Sequence, residues 1–172
     1  MDNQLTTHVE GTLLAQEVLR PKWDTRSLEI CDPSYYWSPA TVLGLLRLLF
    51  QELKLEDGDI IVIPNGTGQH LTEAVKYYVS RYLGLQVRVV TVNWNCGVGS
   101  FFPEDEPEHF TKEQRVVIVT SVHRMQSQLG PLTALIETKM GHVAAIGCLI
   151  NTLRSREYKH LDTYPIYHVL SL

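Results

Sequence analysis

The chain has 172 residues, of which 44% are hydrophobic and 20% charged, a size and composition that fit one domain and exclude a disordered or fibrous chain. A formal net charge of -4 gives no overall field to draw nucleic acid or an anionic membrane surface, and no run of about 20 apolar residues marks a membrane span. Cys31, Cys96 and Cys148 stand far apart without Cys-x-x-Cys spacing, which argues against a zinc site or a disulfide framework and predicts a reducing, cytoplasmic setting.

Residues 1–37 form an N-terminal extension in which Leu13, Leu14, Val18 and Leu19 predict a short helix that Pro21 ends. A clearer helix follows. Ser38 is a good N-cap, Pro39 suits the first helical position, and Val42, Leu45, Leu46, Leu49, Phe50 and Leu53 recur at helical spacing. After the Glu56-Asp57-Gly58 turn, Ile60-Ile61-Val62-Ile63 is a continuous β-branched run of the kind buried on both faces of a sheet. It stops at Pro64-Asn65-Gly66-Thr67-Gly68. The next helix places Leu71, Ala74, Val75, Tyr78, Val79 and Tyr82 on one face and closes at Gly84.

The βα pattern repeats. Residues 87–92 predict a second strand, Val116-Val117-Ile118-Val119 a third, residues 143–150 a fourth and residues 166–170 a short fifth. A helix over about 129–140 buries Leu129, Leu132, Leu135, Ile136 and Met140, with Gly141 as its stop. Alternating strands and helices predict a single doubly wound α/β domain over 1–172 with a mainly parallel, five-stranded sheet. Residues 94–114 have no clear period, and connections beyond about 12–15 residues are usually functional, so this segment predicts a mobile hood over a site.

From Ser38 onward this order resembles that of the type I phosphoribosyltransferases, most closely the orotate branch. The shared features are a Pro-x-Gly-x-Gly-like loop after the first strand, a hood, a third strand that carries the family signature, and the closing Tyr167-His168-Val169-Leu170-Ser171-Leu172. The resemblance implies an anion-binding loop at Asn65, Gly66, Thr67 and Gly68, and a homodimer. It also implies that the third strand should end in two acidic residues, which order the ribose hydroxyls of phosphoribosyl pyrophosphate (PRPP), followed by a glycine-rich loop for its 5′-phosphate. Thr120 and Ser121 stand where the acidic pair belongs, and Gln126 and Ser127 replace the glycines. Arg124, Ser127 and Gln128 remain as side-chain donors to an anion, or as plain polar caps of a strand-to-helix turn.

The hood differs in the same direction. No Lys or Arg occurs between Arg88 and Lys112, and Glu104, Asp105, Glu106 and Glu108 would repel a polyanion. The reading is therefore a noncatalytic phosphoribosyltransferase-fold protein that binds a phosphate, nucleotide or PRPP-like ligand, with no catalytic residue and no metal. Two alternatives stay open. One is an active, orotate-like transferase of nucleotide metabolism that uses magnesium and a displaced acid such as Glu104 or Asp105; the other is a structural subunit without a ligand.

Overall fold

The computed structural model describes residues 19–21, 28–30, 38–64, 69–95, 100–103, 114–123, 126–139, 141–151, 161 and 163–171. Two short strands open it, β1 (Leu19–Pro21) and β2 (Leu28–Ile30), paired antiparallel as a separate two-stranded sheet. This corrects the helix expected up to Pro21. Leu19 lies in a strand, a position Pro21 tolerates because a two-stranded ribbon is all edge; Leu13, Leu14 and Val18 lie outside the described residues.

Helix α1 (Pro39–Leu53) begins as the sequence predicts. The Ser38 hydroxyl accepts the Thr41 N–H at 3.2 Å, Pro39 occupies the first turn, and Lys54 ends the helix in the left-handed region at φ 45°. Its apolar stripe, from Val42 through Leu53, is buried against the sheet.

The main sheet has six strands in the order β5-β4-β3-β6-β7-β8. They are β3 (Ile60–Pro64), β4 (Arg88–Asn95), β5 (Ser100–Pro103), β6 (Arg115–His123), β7 (His142–Asn151) and β8 (Ile166–Ser171). The five predicted strands are all present and mutually parallel. The sixth, β5, comes from the segment expected to lack structure and pairs antiparallel with β4, with Trp94 opposite Phe101. Residues 96–99 and 104–113 of the expected hood lie outside the described residues.

Strand β3 is the centre of the fold because both its faces are covered. Ile61 and Ile63 join the core formed with α1 and with α2 (Gln69–Tyr78), while Ile60 and Val62 join the opposite core, built on α3 (Gln126–Thr138). Helix α2 continues as a π-helical turn, Val79–Leu83, in which the Gly84 N–H donates to the Val79 carbonyl at 3.1 Å. Gly84 takes φ 63°, so the predicted glycine stop holds. Tyr82 was expected on the buried face but is 63% exposed, because the π turn shifts its register relative to an α-helix.

Candidate functional site

Strand order locates the site before any residue does. From β3 the chain crosses through α2 to β4 on one side, and from β6 it crosses through α3 to β7 on the other, with the helices on opposite faces. The strand order therefore reverses between β3 and β6. In open α/β sheets, ligands bind outside the carboxyl ends of the strands at such a switch point.

Two stretches of described backbone border that crevice, each beside a segment singled out in the sequence. One flanks the glycine loop. Pro64 ends β3 and Gln69 begins α2, while Asn65, Gly66, Thr67 and Gly68 lie outside the described residues. The other is the end of β6. Strands β3 and β6 pair with Ile60 beside Val116 and Val62 beside Ile118, so the same register brings Thr120 level with Pro64, the last residue of β3.

The structure changes the reading of this second segment. The third strand was expected to end at Val119 and open into a loop, yet β6 runs on to His123, and its partner is β7, with Thr120 beside Cys148 and His123 beside Asn151. Thr120 and Ser121 are thus strand residues, each 4% exposed. Alternation puts Thr120 on the α3 side, with Val116 and Ile118, and Ser121 on the α1 side, with Val117 and Val119. Helix α3 starts at Gln126, earlier than expected, so Ser127 and Gln128 are helical rather than part of a loop. Only residues 124 and 125 remain between strand and helix, and Arg124 lies outside the described residues.

The chemistry of the described groups is neutral. Carboxylates at these two positions would order ribose hydroxyls and bind magnesium; two buried hydroxyls carry no charge for either task, and this donor set does not fit the metal. Cys148, fully buried beside Thr120, has its thiol pushed up to about 12 by burial, so it is neither a thiolate nucleophile nor a ready metal ligand. Asn151, 3% exposed at the carboxyl end of β7, was missed in the sequence. Its only signal is a polar residue that follows the apolar run of β7.

A scan against protein-family models finds no match, and no curated protein matches the sequence. Solved structures do match. An adenine phosphoribosyltransferase from Thermoanaerobacter pseudethanolicus superimposes with a TM-score of 0.68 at 17% identity, over 95% of this chain and 99% of that one. An orotate phosphoribosyltransferase from Francisella tularensis gives 0.65 at 11% identity, over 95% and 85%. The orotate phosphoribosyltransferase of Mycobacterium tuberculosis, solved in complex with PRPP, gives 0.60 at 13% identity, over 98% and 96%.

Sheet order, helix placement and switch point together define a doubly wound α/β domain with its crevice between β3 and β6. Within that class the chain has the type I phosphoribosyltransferase fold, along nearly its whole length.

Proposed function

We propose that this protein binds a phosphate-bearing small ligand, a phosphate, nucleotide or PRPP-like molecule, at the β3–β6 crevice without transferring a ribosyl group, and that it does so as a cytoplasmic homodimer. The observation that carries the noncatalytic reading is the continuation of β6 through Thr120 and Ser121. Both are neutral and 4% exposed, and the strand ends only two residues short of α3. A transferase of this fold stabilises positive charge that develops on the ribose, and removing even one preorganised stabilising group from an active site typically costs about 10²–10³ in rate. Here both acids are absent. The short connection also leaves little backbone to wrap a 5′-phosphate.

Anion binding then falls to the glycine loop. Gly66 and Gly68 carry no Cβ, and they lie directly between the carboxyl end of β3 and the start of α2, where amides and helix dipole favour negative charge. One relative of this fold supports the ligand class, since the Mycobacterium tuberculosis orotate phosphoribosyltransferase is solved both with PRPP and with inorganic phosphate.

Calorimetry with PRPP and with inorganic phosphate at low salt, on Gly68→Val and Arg124→Ala proteins, tests this reading. Binding abolished by the glycine change and weakened less by the arginine change is the expected result. The reverse order would move the ligand to the end of β6, and no binding at all would favour a structural subunit.

A further inference from the structure

The π turn builds a feature on the far side of the molecule's first core that neither the fold nor the crevice requires. At about 3.6 residues per turn, α-helical residues five apart face different ways. The wider π turn brings Tyr82 against both Tyr77 and Tyr78, with ring centroids 6.0 Å and 5.2 Å away. Tyr78 in turn stacks at 5.4 Å on Phe50 of α1. The aromatic ladder therefore runs from the buried Phe50 outward to Tyr82, and Tyr77 and Tyr82 are the large apolar residues left exposed among the described residues, at 48% and 63%.

Beside this ladder a groove of about 470 Å³ opens between α1 and α2, lined by Leu43, Gly44, Arg47, Tyr78 and Tyr82. Two of these residues have no explanation among the described residues. A glycine inside a helix lowers its stability relative to alanine, yet a methyl group on Gly44 would meet nothing within 4 Å, so the chain's own packing does not demand it. Arg47 has no ion pair or hydrogen bond among the described residues, in contrast to Arg115. An open floor, an unpaired guanidinium and stacked tyrosines form a surface prepared for something from outside, and Tyr and Arg dominate binding energy where proteins meet.

We propose that this groove docks an acidic segment of a partner protein, with an aliphatic or aromatic side chain entering over Gly44 against Leu43 and Tyr78, and a neighbouring carboxylate on Arg47. Charge selects this occupant. Among the described residues Arg47 is the one charged group that lines the groove and no acid lines it, so a carboxylate is the complementary group. A nucleic acid strand would meet a single cation on a chain of net charge -4, too little to offset its phosphates. The exposure of Tyr77 and Tyr82 also favours a protein segment over a small ligand, which would leave most of both rings wet.

Full-length protein panned against a displayed library of random short peptides, with the strongest binder resynthesised for calorimetry, tests the proposal. The binders should carry Asp or Glu next to Leu, Phe or Trp. Gly44→Phe, whose Cβ meets nothing within 4 Å and whose ring adds bulk at the groove, and Tyr82→Ala should each weaken binding by about tenfold or more, and Arg47→Glu should turn selection towards Lys- or Arg-bearing peptides. All three variants should keep the wild-type circular dichroism, and Gly44→Phe and Arg47→Glu the wild-type melting temperature, while Tyr82→Ala should melt slightly lower through its lost ring contacts. The proposal falls if panning yields no acidic binder, if Gly44→Phe binds as wild type, if a single-stranded oligonucleotide binds the groove in competition, or if Gly44→Phe breaks up an oligomer of the wild-type chain. Phosphate binding at the glycine loop should be unchanged in these variants, so this result and the ligand reading stand or fall separately.

Discussion

Arg115 and Asp59, 56 residues apart in sequence, are joined by a hydrogen bond of 3.0 Å from the arginine Nε to the Asp59 Oδ1. Asp59 is 2% exposed, and its other oxygen accepts the Glu56 N–H at 2.9 Å. Arg115 also reaches Glu56 and the Lys54 carbonyl, so one side chain ties the end of α1 and the start of β3 to the first residue of β6. The knot lies at the amino ends of the strands, opposite the crevice, and therefore bears on stability without touching the site.

Loss of Arg115 leaves Asp59 buried without its cation, and breaking a buried pair typically costs about 3–5 kcal/mol. Because Arg115 is 36% exposed, Arg115→Ala should fall at the low end of that range, near about 3 kcal/mol in urea unfolding. Glu56→Gln, at a side chain 62% exposed, should change stability by less than about 1 kcal/mol. Equal effects would show that the buried carboxylate is not the critical partner.

Gly147 should resist enlargement. An added Cβ would lie 2.7 Å from Leu53 Cδ1 and 3.1 Å from Leu49 Cδ2, both on the buried stripe of α1. Gly147→Ala should destabilise by about 1–3 kcal/mol, the usual cost of overpacking. Leu53→Val in the same chain should recover part of that loss, so the double mutant is less destabilised than the two single changes summed. Strict additivity in a thermal or urea series would contradict the packing between β7 and α1.

Cys148 should be silent to thiol reagents in the folded protein and reactive only on unfolding. Burial holds its thiol near 12 against an ordinary 9.0, so the folded state keeps the proton where the unfolded chain loses it. Its contribution to stability is complete below pH 9 and declines between pH 9 and 12. Prompt labelling at pH 8 with native circular dichroism retained would contradict the burial.

Restoring the acids should fail. Thr120→Asp with Ser121→Asp places carboxylates at positions only 4% exposed, and an uncompensated buried charge costs about 3–5 kcal/mol. Burial raises the carboxyl pKa, so the penalty is largest at neutral pH and shrinks as pH falls towards about 4. A double variant as stable as wild type at pH 7 that also turns over PRPP would show that the positions are accessible catalytic seats.

The elements that were legible in the sequence are those with a one-step physical signal. The Ser38 cap and the stripe from Val42 to Leu53 define α1, and the run Ile60-Ile61-Val62-Ile63 is unbroken because it is covered on both faces. What escaped depends on tertiary neighbours. Strand β6 continues through Thr120 and Ser121 to His123 because β7 pairs with Thr120, Val122 and His123 and the core buries both hydroxyls, which polarity alone hides. Strand β5 is four residues on the edge of β4, too short for a period, and nothing in the local composition marks the π turn that exposes Tyr82. The candidate site was half legible. Its two segments were found, but the shortness of the link after β6 follows only from where α3 begins.

Binding without transfer is tested by pyrophosphate release from PRPP and magnesium with orotate, uracil, hypoxanthine, guanine or adenine, at protein concentrations where calorimetry shows PRPP bound. No release above the protein-free background is expected with any base, since Thr120 and Ser121 are neutral and buried at the seat of the acidic pair. Steady turnover with any of them, abolished by a change at Thr120, Ser121 or Arg124, would contradict it and make the chain a working transferase.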